Sequence, residues 1–406
     1  MSMPRRDFLK KLSAGVALAG AGSLLAACTT RTSTPSNATA APGASSSTSA
    51  VKVGILTDLT GVTAAAGKAL LNNAQLAREE IESTGKVKFD LVVEDMASDP
   101  KTSVEKATKL VQSDKVVAVI GVISSAAREA VRPVICDRAK VPFIYTTPYE
   151  GGDCNANLWC VGQVPPQQVN PYVDWLMANQ GKKFYFFGAD YVWPRSMFQQ
   201  TRALIEKAGG TVAGEDYAPL SASDFTTLVT HLNSTQPEIL LSAFPTPAWT
   251  NAVQQISDAG LRKNMHIGTY FMSDWFAESI PAGIRDGIST LGGYFYDISG
   301  GANETYLGKY RTRFGKTEPT DGLGVGAYWA MHMYADAITA AGSTAADKIR
   351  PALSAAKFAD GPTGPVAFNP DHHLTTNAYL AMTQGGAFKV QKTYENMAPS
   401  QGCTFA

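Results

Sequence analysis

From residue 51 onward, the apolar positions alternate between two rhythms. Val51-Lys52-Val53-Gly54-Ile55-Leu56 is a short apolar run followed by a Gly/Thr-rich loop through Gly67, the pattern of a buried strand. Leu70, Ala74, Ala77 and Ile81 then recur at helical spacing. Phe89 to Val93 reads as a second strand, and Val104, Ala107, Leu110 and Val111 give the next helix its apolar stripe. Val116 to Ile120 reads as a third strand, residues 126–138 as a helix that carries Cys136, and Val141 to Tyr145 as a fourth strand. The rhythm then restarts. Strands are expected at 184–187, 211–217, 239–243 and 266–268, with helices at 197–208, 225–232 and 249–259. A longer helix is expected around 326–340, with Val325, Trp329, Met333 and Ala337 on one stripe.

Strands alternating with helices predict right-handed βαβ units and parallel sheets. The end of the chain differs, because residues 364–369, 377–383 and 388–391 read as short antiparallel strands. The expected fold class is α/β, with two Rossmann-like lobes of parallel sheet joined by a hinge. The length beyond residue 50 exceeds one ordinary domain and fits two lobes.

The first residues change the picture of where such a fold works. Arg5-Arg6-Asp7-Phe8-Leu9-Lys10 precedes an apolar stretch from Leu12 to Ala27, and Cys28 follows Leu25-Ala26-Ala27. A basic start, a short apolar core and small residues before a cut site are the parts of a removable export signal. The twin arginines specify a bacterial export route, and Cys28 sits as the lipid-modified first residue does in a lipobox. A membrane span needs about 20 apolar residues, and this run is shorter and broken by Gly15, Gly20 and Gly22. Residues 29–50 are almost all Ser, Thr, Ala, Pro, Gly and Asn, a tether that buries no core. The expectation is a twin-arginine lipoprotein signal over 1–27, a tether over 28–50, and an extracytoplasmic protein held at the cell membrane by its lipid.

Charge excludes other partners. Of 35 basic and 35 acidic side chains, residues 1–27 hold four basic (Arg5, Arg6, Lys10, Lys11) and one acidic (Asp7), which leaves 31 and 34. This near-neutral balance is not that of a nucleic-acid binder. Cysteine usage is sparse: besides Cys28 there are Cys136, Cys154, Cys160 and Cys403. In an oxidising compartment, Cys154 and Cys160 can clip a local loop, or Cys403 can pair with either and staple the tail. Cys136 is expected to be a buried free thiol.

In open parallel sheets, ligands bind beyond the carboxyl ends of the strands. Three such ends carry unusual residues. Gly121-Val122-Ile123-Ser124-Ser125 leads into a helix, with Ser125 the candidate N-cap beside free backbone N–H groups. Tyr145-Thr146-Thr147-Pro148-Tyr149-Glu150-Gly151-Gly152 offers a ring, a hydroxyl and a turn-forming proline. Gly188-Ala189-Asp190-Tyr191-Val192-Trp193-Pro194-Arg195 places Tyr191 and Trp193 where aromatic bulk can wall a pocket.

These segments resemble those of the type I periplasmic binding proteins of ABC importers, in the hydrophobic amino acid and amide group. Thr147-Pro148-Tyr149-Glu150-Gly151 and Asp190-Tyr191-Val192-Trp193-Pro194-Arg195 are similar to motifs of short-chain amide and urea receptors, and Gly209-Gly210-Thr211-Val212 and Gly364-Pro365-Val366 fall in matching order. The likeness covers residues 51–395. It implies a lobe of residues 51–163 and 298–362, a second lobe of 164–297 and 363–392, and a tail of 393–406. It also implies that Ser125 and Thr147 bind the ligand's polar head, with Tyr145, Pro148 and Trp193 lining the pocket. Ile123 stands where an amide receptor has a tyrosine. Phe244 and Tyr270 are expected at strand ends facing the cleft from the second lobe. Leucine-type receptors hold the ligand's ammonium with an acidic residue near the position of Tyr270; Asp274 or Asp297 is the available substitute. A buried ammonium without a carboxylate is costly, which favours a neutral amide, a urea-like molecule or a small carboxylate.

Other motifs carry less. Gly322-Leu323-Gly324-Val325-Gly326 lacks the spacing of a dinucleotide loop and reads as a close-packed helix start. Asp371-His372-His373 reads as a solvated turn rather than a metal site. Glu94-Asp95 lacks a partner base or nucleophile and reads as a solvated or hinge-side feature. No metal site, cofactor or activated nucleophile is expected. The resemblance implies a monomeric, non-enzymatic receptor whose partners are a small ligand and the permease subunits of an ABC importer. A ligand sensor for a signalling partner and an extracytoplasmic amide hydrolase are the competing functions.

Overall fold

The computed structural model of the chain describes residues 50–405. The export signal, Cys28 and the tether up to residue 49 lie outside the described residues. The first sheet is built from one continuous stretch: β1 (Val51–Thr57), β2 (Phe89–Asp95), β3 (Ala118–Gly121), β4 (Phe143–Tyr145) and β5 (Leu158–Cys160). The order is β2-β1-β3-β4-β5, and every pairing is parallel. Its crossovers are α1 (Ala64–Ser83), α2 (Pro100–Gln112) and α3 (Ser125–Arg132). Leu70, Ala74, Ala77 and Ile81 of α1 are all buried, as their spacing predicts. The helix expected over 126–138 ends at Arg132 and continues as a wide π turn over Pro133–Arg138. Pro133 supplies the cause, since it has no N–H for the helical ladder and its ring crowds the preceding turn.

A second sheet follows α4 (Pro165–Asn179). Its parallel part is β6 (Lys183–Ala189), β7 (Thr211–Ala218), β8 (Ile239–Ala243), β9 (His266–Thr269) and β10 (Ser289–Gly292), with α5 (Val192–Lys207), α6 (Thr226–Thr235), α7 (Trp249–Asp258), α8 (Asp274–Glu278) and α9 (Ala282–Arg285) between strands. The chain then forms α10 (Gly301–Phe314), α11 (Gly322–Ala341) and α12 (Ala346–Ser354) before returning as β11 (Lys357–Phe358), β12 (Val366–Phe368), β13 (Leu374–Gln384) and β14 (Ala387–Met397). The order is β11-β12-β13-β10-β9-β8-β6-β7, with β14 also on β13 and the late strands antiparallel. Strand β14 runs into the stretch 393–406 that was expected to be tail.

Helix α11 belongs to the first sheet's cover. It packs along α1 and reaches β3, Tyr334 stacks on Phe89, and its hydroxyl donates to the Val117 carbonyl at 3.2 Å. Asp321 caps its N-terminus, accepting from the N–H groups of Leu323 and Gly324 at 3.1 and 3.0 Å. A Cβ on Gly324 would lie 2.4 Å from the Asn73 side-chain nitrogen, so the glycine run serves close helix packing.

Glu80 ties α1 to α10 and α11 through Lys309 at 2.9 Å and the Tyr328 hydroxyl, with the His332 ring 3.3 Å away. Burial opposes its charge, but hydrogen bonds from His332, Tyr328 and Lys309 more than offset this and hold its pKa down to about 2. A depressed carboxyl stabilises the fold above its unfolded value and loses that contribution as pH falls. Urea titrations are therefore expected to show wild-type stability declining between about pH 4.5 and 2 more steeply than that of Glu80→Gln; parallel curves would contradict the linkage.

The cysteines pair over a long range. Cys154 is bonded to Cys403, with Cα atoms 5.4 Å apart and a sequence separation of 249. The local Cys154–Cys160 clip is not formed, because Cys160 is the last residue of β5 and is buried in the core beside Tyr149. Cys136 is a buried free thiol whose pKa burial raises. The Asp371-His372-His373 turn is buried rather than solvated. His372 lies between the rings of Trp159 and Phe405 and is pushed down to about 4 by burial, while His373 meets the Tyr149 hydroxyl at 2.6 Å. Among the described residues there is no cluster suited to a metal ion and no helix long and apolar enough to cross a membrane.

Candidate functional site

A cleft collects residues just past the carboxyl ends of strands in both sheets, the place where open parallel sheets bind ligands. From the first sheet come Thr63 after β1, Ile123, Ser124 and Ser125 after β3, and Thr147 and Pro148 after β4. From the second come Tyr191 and Trp193 after β6, Leu220 after β7, Pro245 after β8 and Phe271 after β9. Leu323, at the start of α11, closes one side. Most of the wall is apolar, and no charged residue lines it.

The β3–α3 connection is shaped by backbone geometry. Gly121 has φ of +132°, and a Cβ there would lie 2.2 Å from the Leu56 carbonyl oxygen. Val122 follows at φ +59°, a rare conformation for a β-branched residue, and its carbonyl accepts the Thr147 hydroxyl at 2.9 Å. The N-cap of α3 is Ser124, not Ser125: the Ser124 hydroxyl accepts from the Ala127 N–H at 3.1 Å. Ser125 is thereby the first helical residue. The N–H groups of Ser125 and Ala126 have no acceptor within the helix.

Behind Ser125 stands a buried ion cluster. The Ser125 hydroxyl donates to Glu150 Oε2 at 2.6 Å, and Arg128 Nη2 donates to Glu150 Oε1 at 2.8 Å. Arg128 Nε donates to Asp153 Oδ2 at 3.1 Å, and the guanidinium lies 4.4 Å from the centre of the Tyr149 ring. The Arg128 side chain is only 3% exposed.

The consequence for recognition follows from hydrogen-bond inventory. A carboxylate and a carbonyl only accept, so the Ser125 proton is committed to Glu150 and the Thr147 proton to Val122. Both hydroxyl oxygens therefore offer lone pairs to a ligand, while the first N–H groups of α3 offer donors. A polar head with one acceptor and an N–H donor, as in a primary amide, matches this set.

The structure brings Ile123, Ser125, Thr147, Pro148, Tyr191 and Trp193 together around the cleft. Three expected residues do not line it. Tyr145 is fully buried beneath the site, edge-on to Tyr149. Phe244 is in the core, stacked on Phe187 at 5.4 Å, and Tyr270 packs against Tyr172 with its hydroxyl on Thr201. Their successors, Pro245 and Phe271, line the cleft instead. A one-residue slip along an extended segment turns a side chain to the opposite face, and both positions were read one residue early. Neither acidic substitute reaches the cleft. Asp274 is buried, accepts from the Tyr296 N–H at 3.0 Å and is pushed up to about 7 by burial. Asp297 pairs with Lys389 at 2.8 Å. Glu150 and Arg128 stand behind the site without having been expected there; Glu150 lies inside the Thr-Pro-Tyr-Glu-Gly run, and nothing in the pattern of residues marks Arg128.

Two α/β sheets whose strand ends face one small, mostly apolar cleft define a solute-binding receptor. The sequence profile of periplasmic binding proteins matches residues 50–387, and the chain belongs to that family. Curated relatives are distant. Leu/Ile/Val-binding protein homolog 3 of Brucella melitensis is 26% identical over 52% of this chain and 59% of its own length. Homolog 6 of Brucella suis is 24% identical over 81% of this chain and 86% of its own. Among solved structures, a solute-binding protein of an ABC transporter from R. palustris, in complex with benzoate, superposes with a TM-score of 0.79 at 21% identity, covering 87% of this chain and 99% of that one. A leucine-binding protein from Thermotoga maritima gives 0.76 at 20% identity, covering 85% and 99%. The fold is the type I periplasmic binding protein fold.

Proposed function

We propose that this protein is a non-enzymatic extracytoplasmic receptor, lipid-anchored at Cys28, that binds a small amide- or urea-type ligand with an apolar body and delivers it to an ABC importer. Residues 51–163 with 298–354 form one lobe and residues 164–297 with 357–397, which carry β11 to β14, the other, and ligand favours the closed pair. Closure is driven only by the ligand's stronger binding to that state. The observation that carries the ligand class is the commitment of both the Ser125 and Thr147 protons inside the protein, beside free α3 N–H groups in a cleft without a charged lining residue. An α-amino acid would bring an ammonium that finds no carboxylate there.

A second reading is an aromatic carboxylate. Trp193, Tyr191 and Phe271 in the wall favour it, as do the R. palustris neighbours crystallised with benzoate and 4-hydroxybenzoate. A thermal-shift panel of urea, isovaleramide, benzamide, leucine, isovalerate and benzoate separates the readings. The amides are expected to raise the melting temperature, and the Ser125→Ala/Thr147→Ala double variant is expected to lose that rise. Stabilisation by leucine or benzoate alone would overturn the amide class, and an unchanged rise in the double variant would overturn the site.

A further inference from the structure

We infer that Glu150, oriented by Arg128, is a specificity-determining positioning residue: it fixes the Ser125 hydroxyl as an acceptor and so selects amide-type heads over carboxylates of the same shape. The inference rests on the amide-type reading of the cleft and adds the group that enforces it. Glu150 is not among the lining residues; it acts through Ser125.

The geometry leaves Ser125 one role. Its hydroxyl lies 2.6 Å from Glu150 Oε2, and a carboxylate oxygen takes a proton from a hydroxyl but gives none. The other carboxylate oxygen is occupied by Arg128 Nη2 at 2.8 Å, and a guanidinium only donates. Arg128 is itself held by Asp153 and by the face of Tyr149, so the orientation of the Glu150 carboxyl is fixed from behind. The backbone of Glu150 is held as well, its carbonyl accepting from the Gln200 side chain at 3.1 Å. A carboxylate ligand placed at the α3 N-terminus would meet the Ser125 and Thr147 lone pairs with no proton to offer them. An amide turns its N–H₂ to the same oxygens.

This arrangement makes Glu150→Gln a polarity switch. Arg128 still requires an acceptor, so the Gln oxygen occupies the Arg128 side and the Gln N–H₂ faces Ser125. Ser125 then accepts from Gln and turns its own proton into the cleft, where a carboxylate receives it. The ratio of amide to carboxylate affinity, measured by calorimetry with benzamide against benzoate and isovaleramide against isovalerate, is expected to fall at least about tenfold, the scale of one exchanged hydrogen bond. Glu129→Gln removes a carboxylate charge 3.6 Å from the same guanidinium, from a side chain 54% exposed that touches neither Ser125 nor Glu150, and is expected to leave the ratio within about twofold of wild type. Ser125→Ala, which does not depend on Glu150→Gln folding, is expected to weaken the amides and leave the carboxylates unchanged or tighter.

Each outcome bears on the inference. A ratio unmoved by Glu150→Gln, an equal shift in Glu129→Gln, or equal losses for both ligand classes in Ser125→Ala overturns it while the amide-type reading stands. A wild-type protein that binds neither member of either pair overturns the amide-type reading and this inference with it.

Discussion

Arg128→Met is expected to lower the free energy of unfolding by about 3–5 kcal/mol, because in a largely buried site it strips Glu150 of its cation and leaves Asp153 only the longer contact with Arg132. Glu150 and Asp153 are only 10% and 13% exposed, and both pair with this guanidinium, Asp153 also meeting Arg132 at 3.7 Å. Methionine restores much of the packing against Tyr149 but none of the charge. Lysine retains the charge but lacks the planar fork that serves two carboxylates at once, so Arg128→Lys is expected to fall between. Unpaired buried carboxylates have raised pKa values, and such groups are least costly when protonated. The defect of Arg128→Met is therefore expected to shrink as pH is lowered from 7 toward 5. Urea denaturation at both values checks this; a variant as stable as wild type at pH 7 would show that the cluster is solvated rather than buried.

Cys403→Ser is the second large effect. The Cys154–Cys403 bond closes a loop of 249 residues, for which chain entropy gives about 5 kcal/mol of stabilisation. The variant is expected to melt roughly 10 °C below wild type. Reductant is expected to bring wild type down to the same temperature and to leave the variant unmoved. The bond has local company: Gln401 accepts from the Gly152 N–H at 2.8 Å and donates its own N–H to Asp371 at 3.1 Å. If the variant and wild type melt together under oxidising conditions, those contacts alone hold the tail.

The comparison of sequence with structure divides along physical lines. Strands such as Val51–Thr57 and Ile239–Ala243 were legible because they are short, mostly apolar runs, buried from Val53 onward in the first and throughout the second. Strand β5 has only three residues, too few to show a period. Helix α4 was hidden by Pro165 and Pro166, which suit a first turn, and by Pro171, which sits inside it. Helix α10 begins at Gly301 and buries few positions, so its stripe is faint. At the site, strand-end position found six lining residues, but Phe244 and Tyr270 missed by one because local sequence does not set which face a post-strand residue takes. The Cys154–Cys403 pairing depends on how two distant segments meet, which spacing alone leaves open.

The interleaving of the two sheets has a consequence for how the chain is made. The five strands of the first sheet are complete at Cys160, yet their covering helix α11, with Met331, Met333 and Tyr334 buried in the contact, arrives more than 150 residues later. The second sheet likewise waits for β13 to pair with β10 and for β14 to pair with β13. A growing chain that has emitted only its first half therefore shows an uncovered apolar face to its surroundings, where partly folded chains aggregate. Neither sheet gets its full cover from one continuous stretch of chain, and a fragment ending near residue 163 is expected to need a chaperone or to precipitate. The two sheets reach their native state together or not at all.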